Sequence, residues 1–166
     1  MSRIEFAIDQ ISGSRFYTSS LISDADDSDW FRQPFPDANH IAWQVGHIIV
    51  AEYGLTLEAL RGRRREDSEW FPKPYRRLFG RTSKPESDAE AYPSPAELKQ
   101  VLGRVHEHVV AELRTVEDGL LDEPPEWNHP LCPTKLEALH FCARHEMVHA
   151  GQIGMLRRML GKEWLR

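Results

Sequence analysis

Thiols are scarce in this chain: its 166 residues contain Cys132, Cys142 and no other cysteine. Two thiols do not amount to a disulfide framework, so both are expected to be reduced. Long apolar runs are missing as well. No stretch approaches the roughly 20 apolar residues of a membrane-spanning helix, and Arg3, Glu5 and Asp9 interrupt the start of the chain where a secretory signal would be continuous. A cytoplasmic protein without a membrane partner is the expectation. There is no excess of positive charge: the formal net charge is −5, which argues against general nucleic-acid binding. The two-residue alternation of a β-strand and any internal repeat are also lacking. What remains is 40% hydrophobic and 28% charged, the composition of an ordinary globular chain, and one domain over residues 1–166 is expected.

Helical patterning is plentiful. Ser94-Pro95-Ala96-Glu97 reads as a capping box with proline at the first helical position. Leu98, Val101, Leu102, Val105, Val109, Leu113 and Val116 follow at three-to-four spacing up to Gly119. Thr134-Lys135-Leu136-Glu137 opens a second such helix, which runs to Leu160 and stops at Gly161. Upstream, Asp37 or Asn39 can cap a helix carrying Ile41, Val45, Ile48, Ile49, Leu55 and Leu60, closed by Gly62. A first helix over residues 3 to about 25 is written less plainly, because Gly13 and several serines dilute its apolar spacing. The pattern predicts an all-α, up-down-down-up type four-helix bundle, with a long connection from Gly62 to Pro93 between helices two and three. Charge collects in that connection. Residues 61–84 hold nine Lys or Arg against three acids, +6, leaving −11 on the rest of the chain. A solvated connector, or a basic loop that attracts an anionic ligand, fits that distribution.

The chemistry centres on His145-Glu146-Met147-Val148-His149 in the fourth helix. Side chains four apart emerge on one helical face, so two imidazoles can grip one metal ion. The string spells H-E-x-x-H, yet the zincin mechanism lacks its third ligand. Only 17 residues follow His149; they contain no histidine, and Glu163 is their one acid, beyond the expected helix stop. The better partner is His47, which follows Gly46 on the second helix and shares a stripe with His40, Trp43, Gln44 and Ala51. His40, nearer the helix start, is the reserve ligand. Cys142 lies one turn before His145 and could be a fourth ligand or a small buried hydrophobe. Glu146 is the candidate catalytic base because it adjoins a ligand, although an exposed glutamate on a helix flank is ordinary. Gln152 can hold a hydrogen bond behind the site. His106 and His108 are two apart on one helix and read as surface residues. His129 belongs to a loop, and His140 points away from the His145 stripe.

These residues resemble the DinB and YfiT-like superfamily, which is unrelated to the DNA polymerase sharing the name. Three features carry the resemblance: Trp43 ahead of Gly46-His47; Leu78-Phe79-Gly80 followed by Tyr92-Pro93-Ser94; and His145 through Ile153 running into Leu156-Arg157-Arg158 and Leu160-Gly161. It implies a divalent metal, nickel or zinc, held by His47, His145 and His149, and a homodimer. It does not imply one reaction, since similar proteins include thiol transferases, a thiol-dependent isomerase and proteins described as hydrolases. Three neutral imidazoles leave the cation its full charge and open positions, which suits activation of a small thiol or water. The expectation is a metal-dependent enzyme whose partners are a low-molecular-weight thiol and a small electrophile. The alternative is a non-catalytic, metal-dependent binding or stress-response protein.

Overall fold

In the computed structural model, which describes residues 1–163, the first helix begins at a reciprocal cap. The Ser2 hydroxyl accepts from the Glu5 amide at 3.2 Å and the Glu5 carboxylate accepts from the Ser2 amide at 2.7 Å, satisfying two of the donors that a helix start leaves open. This helix, α1, spans Arg3–Ile22. Its buried stripe is Ala7, Ile11, Ser14, Arg15, Thr18, Leu21 and Ile22. Three polar residues inside that stripe explain why its apolar periodicity is faint in the sequence.

Helix α2 begins at Ile41 and runs regularly to Tyr53. It passes through a π-helical turn, Gly54–Glu58, and ends with Ala59–Arg61 before Gly62, whose φ of 73° breaks it. The expected cap at Asp37 or Asn39 is replaced by His40, whose Nδ1 accepts from the Trp43 amide at 3.0 Å. The long connection contains short structure that periodicity did not reveal: the helix α3, Tyr75–Phe79, and the 3-10 turns Arg65–Glu69 and Ala89–Ala91. Helix α4 spans Pro95–Leu113 from the Ser94 cap, and α5 spans Lys135–Met159 from the Thr134 and Glu137 capping box. The third helix therefore stops at Leu113, short of Gly119, although Val116 still packs on the core.

The fold is all-helical, and no strand occurs among the described residues. Helix α1 packs on α5 and α4, and α2 packs on α4 and α5, so the four long helices make a closed ring of neighbours. Ile11, Ile48, Ile49, Leu98, Val105, Leu139 and Ile153 fill the space between them. Helix α3 lies against α2. No helix among the described residues is long and apolar enough to cross a membrane.

The interior also carries an ion cluster. Arg15 donates to Glu146 at 2.9 and 3.0 Å, to Glu52 at 2.8 Å and to the Leu102 carbonyl at 2.8 Å. All three charged residues are buried, so one α1 guanidinium ties together the two helices that carry the histidines. Burial alone would raise the Glu52 carboxyl, but the Arg15 charge and the hydrogen bond from His106 outweigh it and hold it below its ordinary value.

Candidate metal centre

His47 projects from α2 and His145 and His149 from α5, and one ring nitrogen from each falls within 4.8 Å of the others. The four-residue spacing brings the α5 pair together on one face: their Nε2 atoms are 3.3 Å apart. Two ligands at zinc–nitrogen distances and a tetrahedral angle would stand about 3.3 Å apart, so this pair fits a shared divalent ion.

Two of the three rings, His47 and His149, are aimed from behind. His47 Nδ1 donates to the Phe79 carbonyl at 2.8 Å, leaving Nε2 as its free lone pair. The Trp43 indole stacks on the same imidazole, with ring centres 4.8 Å apart and planes 6° from parallel. On the other side, His149 Nδ1 donates to Gln44 Oε1 at 2.6 Å, and Gln44 Nε2 donates to Gln152 Oε1 at 2.7 Å. Gln152 thus acts behind the site, as the sequence allowed, but through Gln44. Burial lowers all three imidazole pKa values. His149 falls to about 3 through burial first and then through His145 and His47. His145 falls to about 4 through burial, His47 and His129. For His47 burial outweighs the opposing effect of the Phe79 carbonyl. At neutral pH the cluster offers three unprotonated nitrogens, the form a metal requires.

Phe79 has two roles here, because its ring also lies over Gly46. A Cβ at that position would overlap the ring. Glycine before His47 therefore admits α3, and α3 supplies the carbonyl that orients His47. The loop behind it is clamped as well: Trp43 Nε1 donates to Ser83 Oγ at 2.8 Å, and Ser83 Oγ donates to the Gly80 carbonyl at 2.8 Å.

Other sequence candidates lie elsewhere. His40 is fully buried and both of its nitrogens are engaged, Nδ1 in the helix cap and Nε2 with the Glu86 carbonyl at 3.0 Å; the reserve ligand is a capping residue. Glu146 is not an exposed flank residue. It is buried with both carboxylate oxygens bound to Arg15, so its geometry gives the base role no support. Cys142 is buried beside the same ion cluster, and burial pushes its thiol well above its ordinary value; it is not among the grouped ligand atoms. His106, expected on the surface, hydrogen-bonds Glu52 at 2.7 Å and extends the ion cluster. His108 stacks on Trp70, and His140 lies against Phe6.

His47 and His145 line a cleft of about 430 Å³. Its lining includes Trp127, His129 and Phe141 together with Arg63, Arg76 and Arg81. The π turn contributes directly: the Gly54 carbonyl accepts from Trp127 Nε1 at 3.1 Å, while Glu58 holds both Arg63 and Arg76. His129, expected in a loop, is not grouped with the three histidines. It nevertheless stands in the cleft wall, where its Nδ1 accepts from the Leu131 amide at 3.2 Å and leaves the proton on Nε2.

No curated protein matches the chain closely. The family model of the DinB superfamily matches residues 10–153, which takes in all three histidines and most of every long helix, and the chain belongs to that superfamily.

Proposed function

We propose that this protein is a metal-dependent enzyme that activates a small thiol or water for attack on a small electrophile, with His47, His145 and His149 holding nickel or zinc. The convergence of three unprotonated imidazoles, two of them oriented by hydrogen bonds and two of them lining a cleft, carries this reading. A divalent ion held by neutral ligands would lower the pKa of a bound thiol or water and stabilise developing negative charge. The chain supplies the rest. Phe79 and Gln44 fix which imidazole nitrogens face inward, and Trp127 and Phe141 screen one side of the cleft from water. His129 offers an Nε2 proton as a hydrogen-bond donor to an anion forming beside His145. Glu146 has no part in the proposed chemistry. The four long helices are read as an up-down-down-up bundle, and the working form as a cytoplasmic homodimer.

Elemental analysis of the purified protein beside His149→Ala tests the metal. About one divalent ion per chain is expected in the wild type, and a large loss in the variant; equal metal in both sinks the site. Mixing metal-loaded protein with an electrophile and a panel of cellular thiols tests the reaction. Consumption of one thiol above background supports transfer, release of a water-derived product supports hydrolysis, and neither leaves a binding protein.

A further inference from the structure

Arg81 stands out in the cleft because its backbone is fixed while its charge is unengaged. It sits inside the turn closed by the Ser83 amide on the Gly80 carbonyl at 2.9 Å, and the Ser83 hydroxyl ties that turn to Trp43 and back to Gly80. Arg63 and Arg76 share Glu58, and Arg76 is further held over the rings of Tyr53 and Phe71, 5.2 and 5.4 Å from their centres. Among the described residues Arg81 has no hydrogen-bond, ion-pair or ring partner. The cleft lining therefore carries three arginines against one acid, and the unpartnered guanidinium is on the stretch leading out of α3, two residues after the Phe79 carbonyl that accepts from His47.

The same cleft is also lined by aromatic rings. The polar edge of Trp127 is already spent on the Gly54 carbonyl, so its ring presents only apolar surface to the cleft, beside Phe141. A ligand matching both kinds of lining has an apolar body and an anionic end. We propose that this cleft binds a small organic carboxylate, paired with Arg81 and packed against Trp127 and Phe141. The guanidinium fork suits the two oxygens of a carboxylate. His129 Nε2 adds a donor to the same lining. The proposal deepens the reading of this cleft as the substrate site, but it does not need the metal to be present.

The test uses benzoate and its uncharged counterpart benzamide, titrated into chelator-treated full-length protein at low salt by calorimetry. Without metal, the anion cannot bind simply by coordination. Benzoate is expected to bind about tenfold more tightly than benzamide, to lose about that factor in Arg81→Gln, and to recover most of it in Arg81→Lys. Equal binding of the two probes, absence of saturable benzoate binding, or an Arg81→Gln affinity equal to wild type overturns the proposal. Metal content of each reloaded variant is measured in parallel. A protein that binds benzoate through Arg81 but holds no metal supports this proposal and sinks the metalloenzyme reading. One that loses metal in His149→Ala but ignores benzoate does the reverse.

Discussion

Gln44 decides which nitrogen of His149 is available. Its amide is oriented because Gln152 Oε1 takes the NH₂ end, which turns Gln44 Oε1 toward His149 Nδ1. Replacing Gln44 with leucine removes that acceptor and frees the ring to turn, and metal affinity is expected to fall about 10–100-fold. Gln44→Glu keeps an acceptor for Nδ1 and should stay within about tenfold of wild type. Chelator competition with zinc measures both, and a leucine variant that binds like wild type would show that the Gln44 bond is incidental. At this scale the sequence was only partly legible. The pair His145 and His149 could be read because its geometry is local to one helix, and His47 because a glycine and a tryptophan mark its turn. Glu146 was misread because its partner, Arg15, is 131 positions away, and nothing near it in sequence announces burial. His40 was misread for a related reason, since histidine is an unusual cap and its second partner, Glu86, lies 46 positions on, within the long connection.

Among the elements, α3 shows why short structure escapes a periodic reading. Five residues containing two arginines cannot display an apolar repeat, and such a helix is not stable alone. Its position is set by Phe79 filling the space over Gly46. Gly46→Ala must push that ring aside, at an expected cost of about 1–3 kcal/mol. Displacing Phe79 also moves the carbonyl that orients His47, so metal affinity should fall in the same variant. Pairing Gly46→Ala with Phe79→Leu makes room for the new methyl group and should recover part of both losses. Urea unfolding and zinc competition follow the two effects, and a Gly46→Ala protein unchanged in both would mean that α3 does not position His47. Helices α4 and α5 were legible in contrast because their caps are written within four residues, as at Thr134 and Glu137. Helix α1 was blurred by Arg15 and Thr18, polar residues buried on its inner face. The π turn left no sequence mark, yet it carries Gly54 and Glu58, which hold the Trp127 and arginine walls of the cleft.

For the whole molecule, the buried titrating groups all make acid destabilising, in two stages. His40 and His145 are lowered to about 4 and His149 to about 3, each mainly by burial, whereas a histidine in the unfolded chain titrates near 6.5. As pH falls through about 6.5 the unfolded chain takes up protons that the folded chain refuses until pH 4 or below. Stability must therefore fall over that interval. Glu52 contributes below it: its lowered carboxyl stabilises the fold above the unfolded value of about 4.3, and that contribution is lost as pH drops toward the folded value. For metal-free protein, each fully buried neutral histidine should cost on the order of 2 kcal/mol between pH 7.5 and pH 5. His40 isolates one such share, because it is fully buried and is not a proposed ligand. His40→Asn retains an acceptor suited to the helix cap but cannot titrate, so its urea-derived stability should fall by about 2 kcal/mol less than wild type over the same pH range. Identical slopes would mean that His40 is already free to protonate in the fold, with its Nδ1 released from the Trp43 amide.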